Sequence, residues 1–235
     1  MDGVLNQTDR AFRRWCKAFG IDHVFHVVDS TACDPQPQQP SQQPCRGPSC
    51  VTPLNFETLD DLRAAVLRLD CPLKRMAKNT VFSDGAPSSD IMIIGEAPGQ
   101  EEDIQGKPFV GQSGQLLDNM LRAIGIARRD VYISNIVFWR PPGNRTPTSD
   151  EITFCLPYVE AHVKLMNPKV LLLLGGVAVR TILNTVEPIT RIRGSVHTYH
   201  EMNVIATYHP AYLLRSPAQK YLVFQDLLLL KKIIG

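Results

Sequence analysis

The chain has no long apolar run, no marked excess of charge of either sign and no closely spaced pair of cysteines. A membrane-spanning helix needs about 20 consecutive apolar residues, so we expect no contact with a membrane. The net charge of the 235 residues is only +2, and composition alone therefore does not indicate a nucleic-acid-binding protein. A GxGxxG fingerprint is also missing, which argues against a nucleotide-binding domain of that type.

The six cysteines are scattered along the chain: Cys16, Cys33, Cys45, Cys50, Cys71 and Cys155. None belongs to a CxxC pair, and we predict free thiols in a reducing compartment rather than a disulfide framework. The N-terminus lacks the charged start, apolar centre and cleavage site of a secretory signal. Together these features predict a cytoplasmic protein.

The first 55 residues differ in composition from the rest. Residues 1–32 contain an amphipathic helical pattern, in which apolar side chains recur at i, i+3, i+4 and i+7 among basic ones. We expect this helix to dock on its own domain, or to contact DNA or a repair or replication partner. Residues 33–55 are rich in proline and glutamine and lack hydrophobic periodicity, which predicts an extended, flexible linker.

Residues 56–235 alternate between apolar strands and amphipathic helices. Apolar runs that begin near Ile91, Val131, Val170 and Val204 each suit a buried strand, and a helical pattern follows each of them. This order predicts an α/β fold, in which helices cover both faces of a central, mainly parallel four-stranded sheet to form a three-layer sandwich.

Two loops of this domain carry the chemistry. The first strand ends in a glycine-rich, acidic turn, GEAPGQEED, and the last strand ends in TYHPAYLLR. In an open α/β sheet, ligands bind outside the carboxyl ends of the strands. We therefore expect the two loops to face each other across an active-site cleft. Of the acidic residues, Glu101 and Asp103 are expected to be solvated.

Four segments resemble, in the right order, the motifs of the family 4 (type-4) uracil-DNA glycosylases: GEAPGQEED, KPFVGQSGQLLD, RPPGNRTPT and YHPAYLLR. The similarity runs from about Leu59 to the C-terminus. It implies a monofunctional DNA repair enzyme that flips uracil out of DNA and hydrolyses its N-glycosidic bond, leaving an abasic site for base excision repair. The implied partner is uracil-containing DNA, and we expect a monomer.

The resemblance also implies roles for individual residues. Phe109 would stack on the flipped base, and the amide of Asn135 would read the uracil edge, since a primary amide both donates and accepts. His209 would donate to the uracil anion that forms as the bond breaks. Glu102, or alternatively Glu96, would position the attacking water. The remaining predicted substrate-binding residues are Gly95 and Ala97.

Six residues of the last two motifs are predicted to bind DNA around the flipped nucleotide: Arg140, Asn144, Arg145, Leu213, Leu214 and Arg215. Arginines at such positions bind phosphates. Leu213 and Leu214 are predicted to wedge between base steps and open the duplex, although one of the two could instead pack into the core.

The chain departs from the family at its metal site. Family 4 enzymes hold an iron–sulfur cluster with four cysteines, of which Cys71 and Cys155 match the first and the last. The second position falls on Lys74 and the third on Trp139. Because a [4Fe–4S] cluster needs four such ligands, we predict a branch of the family that has no metal site and no cofactor.

Two other hypotheses are open at this point. A DNA-binding relative that has lost catalysis would not need Glu102, Phe109, Asn135 and His209, all of which are present. An α/β nucleotide or phosphate binder rests on analogy of fold alone. The sequence leaves open the preference for single- or double-stranded DNA and the activity on other deaminated bases.

Overall fold

The computed structural model describes residues 54–235. The predicted N-terminal helix and all but the last two residues of the predicted linker lie outside this part of the chain. No helix between residues 54 and 235 is long and apolar enough to cross a membrane.

The strands of the described unit are β1 (Asp84–Gly85), β2 (Ile91–Gly95), β3 (Tyr132–Asn135), β4 (Val170–Leu174), β5 (Val196–Tyr199) and β6 (Met202–Thr207). Its α-helices are α1 (Leu59–Arg68), α2 (Pro72–Met76), α3 (Gln100–Gln105), α4 (Gln112–Ala123), α5 (Ser149–Met166), α6 (Gly176–Leu183), α7 (Ile189–Ile192), α8 (Pro210–Arg215) and α9 (Lys220–Ile234). Short 3-10 turns cover Arg128–Asp130, Pro142–Asn144 and Pro217–Gln219.

The sheet contains six strands in the order β1-β3-β2-β4-β6-β5. The four predicted strands are its central ones, and they run parallel to one another. The predicted number of four was wrong, because β1 and β5 add antiparallel edges. Neither edge strand has a buried apolar run: β1 is only two residues long, and β5 alternates between exposed and half-buried positions.

Both faces of the sheet are covered, as predicted. Met92 and Ile94 of β2 belong to one apolar cluster with residues of α1, α5 and α6. Successive side chains of a strand point to opposite faces. Ile91 and Ile93 therefore face the other side, and they are buried as well. The C-terminal helix α9 packs against the central strands β4 and β6.

The strand register brings the functional loops together. Gly95 at the end of β2 lies beside Asn135 at the end of β3, and Leu174 of β4 lies beside Thr207 of β6. All four strands are parallel, so their carboxyl ends meet along one edge of the sheet. The loops that follow them share that edge, where ligands of open α/β sheets bind.

Local signals explain where the helices begin. Thr148 and Glu151 form a capping box at the start of α5, in which Thr148 N donates to the Glu151 carboxylate at 2.8 Å and Glu151 N donates to Thr148 Oγ1 at 3.3 Å. The acidic residues after Gly99 lie in the short helix α3 rather than in a loop. Asp103 is buried there and accepts from the Lys78 and Asn79 amides at 2.8 and 3.0 Å, so its predicted solvation was wrong.

Candidate active site

A cleft of about 720 Å³ lies at the carboxyl edge of the sheet. It brings together ten of the thirteen residues predicted for the site: Glu96, Ala97, Glu102, Phe109, Asn135, Asn144, Arg145, His209, Leu214 and Arg215. Gly95, Arg140 and Leu213 do not line it. The cleft is therefore built from four segments of sequence, each of which follows a central strand or leads into a helix at the same edge.

The floor of the cleft holds an amide without a partner. Asn135 is 1% exposed, and neither its Nδ2 nor its Oδ1 has a hydrogen-bond partner. A buried amide left unpaired destabilises a protein by about 1–3 kcal/mol, and such groups are rare outside functional sites. Asn135 can therefore offer one donor and one acceptor to a planar ligand.

The Phe109 ring and this amide both lie against Gly95. A Cβ atom at Gly95 would come within 2.5 Å of both Asn135 Oδ1 and the Phe109 ring, so only glycine leaves the two side chains in place. The missing side chain of Gly95 thus leaves room for Asn135 and Phe109, although Gly95 itself does not line the cleft. Phe109 is 5% exposed, and it lines the cleft together with Asn135. An aromatic ring at this place can stack on a flat ligand.

His209 closes the pocket from the last strand. It is the N-cap of α8, and its Nδ1 accepts from the Ala211 amide at 3.1 Å. This bond keeps Nδ1 unprotonated and leaves the proton on Nε2. Burial lowers the pKa of His209 to about 4, nearby Arg215 lowers the pKa as well, and Glu102 opposes them. The imidazole is therefore a neutral Nε2–H donor at physiological pH.

The two candidate carboxylates differ in their surroundings. Glu102 accepts three backbone hydrogen bonds, from Gly99 at 3.1 Å and from Val110 and Gly111 at 2.9 Å each. It therefore ties the turn after β2 to the segment that follows Phe109. The pKa of Glu96 is raised, mainly by burial. A hydrogen bond with Thr146 and the charge of Arg180 lower this pKa and so oppose the effect of burial.

The predicted wedge is reduced to a single leucine. Leu213 and Leu214 lie in helix α8, not in a loop, and neighbours on so short a helix point in different directions. Leu213 is 0% exposed, so the prediction that it contacts DNA was wrong. Leu214 is 44% exposed and lines the cleft. Tyr212, which the sequence did not single out, is also partly exposed at the cleft.

Two of the predicted phosphate-binding arginines have partners within the chain. Arg145 donates to the Glu151 carboxylate through both terminal nitrogens, at 2.8 and 2.6 Å. Arg140 donates through Nε to Asn144 Oδ1 at 2.6 Å. Both pairs are exposed, where ion pairs and hydrogen bonds are weak enough to be exchanged for a phosphate.

The residues at the predicted cluster positions do not fit an iron–sulfur cluster. Lys74 donates through Nζ to the carbonyls of Leu67 and Leu69 at 2.5 and 2.8 Å, and so covers the C-terminal end of α1. Trp139 is fully buried and donates from Nε1 to Thr80 Oγ1 at 2.9 Å. Burial raises the pKa of the Cys155 thiol to about 12.

Residues 54–235 contain no group of three or more histidine, cysteine, aspartate or glutamate side chains that could hold a metal ion. Cys71 Sγ instead accepts from the Lys74 amide at 3.4 Å and caps the short helix α2. A four-thiolate site would need ligands from outside the described residues.

With this geometry in place, comparison with known proteins identifies the family. The sequence profile of the Uracil DNA glycosylase superfamily matches residues 82–229. A type-4 uracil-DNA glycosylase of Sulfurisphaera tokodaii is 37% identical over 181 residues, which cover 73% of this chain and 82% of the relative. Those of Thermotoga maritima and Archaeoglobus fulgidus are 40% and 38% identical, over 67% and 69% of this chain and 84% and 86% of the relatives.

An α/β sheet with a cleft at its carboxyl edge and a matching profile over more than half of the chain make this chain a member of the uracil-DNA glycosylase superfamily. Within the superfamily, the chain belongs to the type-4 uracil-DNA glycosylases.

Proposed function

We propose that this chain excises uracil from DNA with Asn135 as the residue that reads the base. As a type-4 uracil-DNA glycosylase it is a DNA repair hydrolase that acts on N-glycosyl bonds. The observation that supports this role for Asn135 is its buried amide, which has no hydrogen-bond partner and lies against Gly95 together with the Phe109 ring. An amide of this kind complements a uracil edge, which offers a carbonyl and an N–H side by side.

The target nucleotide must leave the helix to reach this amide. Enzymes that act on a base within DNA extrude it into a pocket, at a cost of a few kcal/mol. We propose that Leu214, the exposed leucine of α8, fills the gap in the base stack. Arg215, Arg140 and Arg145 would then bind phosphates on either side, with Arg145 exchanging its contact with Glu151 for a phosphate.

Bond cleavage leaves negative charge on uracil and positive charge on the sugar. The neutral His209 side chain offers its Nε2–H to a uracil oxygen, in the manner of an oxyanion-hole donor. A neutral donor does not need to lose charge during the reaction. Its orientation is supported by the Ala211 amide, which occupies the other ring nitrogen.

The two carboxylates are proposed to act on the sugar cation and on the attacking water. Glu102 accepts from three backbone amides and lines the cleft, where its carboxyl group can face the sugar cation and orient water. Glu96 is the alternative, because it also lines the cleft and has fewer partners. No lysine is required, because hydrolysis by water proceeds without a Schiff base.

We further propose that the protein folds and works without an iron–sulfur cluster. The fit of Lys74 against α1 and of Trp139 against Thr80 supports this proposal. Purification under anaerobic conditions should yield a colourless protein without iron. A brown preparation with about four irons per chain would show that cysteines outside the described residues complete the site. The monomeric state and the cytoplasmic location stay predictions.

The test of the activity is excision from a labelled oligonucleotide that contains one uracil, in single- and double-stranded form. Strand breaks should appear only after alkali, because the product is an abasic site. Breaks without alkali would contradict a monofunctional hydrolase, and no breaks after alkali would contradict the activity itself.

Asn135→Asp tests whether Asn135 reads the base. The variant should select uracil less strongly, since an aspartate cannot donate a hydrogen bond.

A further inference from the structure

Arg128 binds the backbone carbonyls of Phe109 and of the preceding residue, Pro108. Its Nη2 donates to the Pro108 carbonyl at 2.7 Å, and its Nη1 donates to the Phe109 carbonyl at 2.8 Å. The same guanidinium contacts Asp84 through Nε at 3.0 Å and Asp118 through Nη1 at 3.0 Å. Two carboxylates on separate elements therefore fix the direction in which Arg128 presents its donors.

Phe109 needs such support, because its backbone is in the left-handed region. Its φ is +52°, which is rare for an aromatic residue. A conformation of this kind is strained, and it persists only where the surroundings enforce it. Gly114 is part of that enforcement, since a Cβ atom there would lie 1.8 Å from the Phe109 carbonyl oxygen.

The segment 108–111 is held from both sides by opposite charges. The guanidinium of Arg128 binds the two carbonyls on one side, and the Glu102 carboxylate binds the two following amides on the other. Charge-assisted hydrogen bonds are about twice as strong as neutral ones. Together they offset the strain at Phe109 and keep its ring against Gly95 in the cleft that Asn135 also lines.

We propose that Arg128, oriented by Asp84 and Asp118, is a positioning residue for stacking of the flipped base. It does not line the cleft, and it acts only through the Phe109 backbone. This inference rests on the proposed function of the cleft and on the stacking role of Phe109. Loss of the guanidinium lets the segment relax to an ordinary conformation, and the ring then leaves its place in the pocket.

The test is a double-mutant cycle that measures single-turnover excision of uracil. Arg128→Ala should lower the rate at least about tenfold, because small misplacements of a positioning group have effects of up to about 10²-fold. In the Phe109→Ala background, the same change should lower the rate by less than about twofold, since residues that act as one unit are not additive. Affinity for an oligonucleotide with an abasic site should be unchanged.

Arg129→Ala is the matched control, because the Arg129 side chain is 89% exposed and should leave the rate unchanged. Guanidinium ion added at millimolar concentration should partly restore Arg128→Ala and leave Phe109→Ala unaffected. If Arg128→Ala does not fold, Arg128→Lys replaces it in the cycle, with a smaller loss that should again vanish in the Phe109→Ala background.

The outcomes separate the two proposals. If Phe109→Ala slows excision but the losses in the double variant multiply, Arg128 acts independently of Phe109 and this inference is wrong, while the proposed stacking stands. If Phe109→Ala excises uracil at the full rate, the stacking role is wrong and Arg128 has nothing to position.

Discussion

The rings of Phe109 and His209 are in contact beside the pocket, with centroids 5.5 Å apart and planes tilted by 34°. One ring belongs to the segment after α3 and the other to the end of β6. Their contact places the stacking surface and the proposed donor to the base on adjoining walls. The Asn135 amide lines the same pocket, so the ends of β3 and β6 and the segment after α3 contribute one side chain each.

Replacing His209 tests the donor. His209→Ala should lower single-turnover excision by about 10²–10³-fold, as loss of one oxyanion-hole donor does in other enzymes. Affinity for DNA should change little, because the donor acts on charge that develops as the bond breaks. His200→Ala is the control, since His200 is an exposed histidine. Near-full activity of His209→Ala would place the catalytic donor elsewhere.

The low pKa of His209 predicts a particular pH dependence. With a pKa of about 4, the imidazole is neutral throughout the range from pH 5.5 to 8, and the excision rate should show no inflection from this group there. An ordinary histidine would titrate near pH 6.5. The measurement is the single-turnover rate across this range, and an inflection near pH 6.5 that disappears in His209→Asn would contradict the assignment.

Glu102→Gln tests whether Glu102 acts by holding the backbone of the loop or only by positioning the attacking water. A glutamine presents an NH₂ group to backbone donors that now meet a carboxylate, so the free energy of unfolding should fall by about 1–3 kcal/mol. The excision rate should fall with it. Glu101→Gln, a change at the exposed neighbour, should alter stability by less than about 0.5 kcal/mol. Loss of rate at unchanged stability would leave Glu102 with a purely chemical role.

His162 predicts sensitivity to acid. It is 0% exposed, its Nε2 lies 2.7 Å from the Tyr132 hydroxyl, and burial lowers its pKa to about 3. Below pH 6.5, His162 binds a proton in the unfolded chain but stays neutral in the folded chain. The free energy of unfolding therefore falls as the pH drops from 6.5 to about 3. The loss is on the order of 3–5 kcal/mol.

Denaturant titrations at several pH values measure this effect. His162→Gln keeps an amide near the Tyr132 hydroxyl but does not titrate, so the acid-induced loss of stability should be smaller than in the parent. His200→Asn, which removes an exposed histidine, should leave the loss unchanged. Parallel pH profiles for the parent and His162→Gln would contradict the assignment.

The buried ion pair behind the last loop predicts a further effect on stability. Asp226 is 0% exposed; it accepts from Thr207 Oγ1 at 2.6 Å and from Arg193 Nη2 at 2.7 Å. Asp226→Asn leaves the Arg193 charge unpaired and should lower the free energy of unfolding by about 3–5 kcal/mol. The double change Arg193→Met with Asp226→Leu removes both charges and should destabilise less, and urea denaturation compares the two.

Trp139 tests the proposal that packing replaces the cluster. Its side chain is fully buried, so Trp139→Ala should destabilise the protein by about 3–5 kcal/mol. Trp139→Cys alone should not recruit iron, because Lys74 still occupies another ligand position. The measurements are thermal unfolding and the iron content of the purified variants. A stable, iron-containing Trp139→Cys protein would contradict the proposal.

The sequence by itself determined the central part of the fold. Buried parallel strands are apolar along their whole length, so β2 and β4 were visible as runs of Ile and Leu. The capping box of α5 depends on residues three positions apart, and it was therefore readable as well. The ends of parallel strands must meet at one edge, which is why motifs far apart in sequence could be placed in one cleft.

Only the tertiary structure decided which side chains of these motifs face solvent. Leu213 and Leu214 are identical residues in adjacent positions, and the packing of α8 alone buries the first and exposes the second. Asp103 and Asp226 are buried because partners from distant segments satisfy them. Arg128 had no motif at all, because its role depends on hydrogen bonds to Phe109 and Asp84, which the chain brings close only on folding.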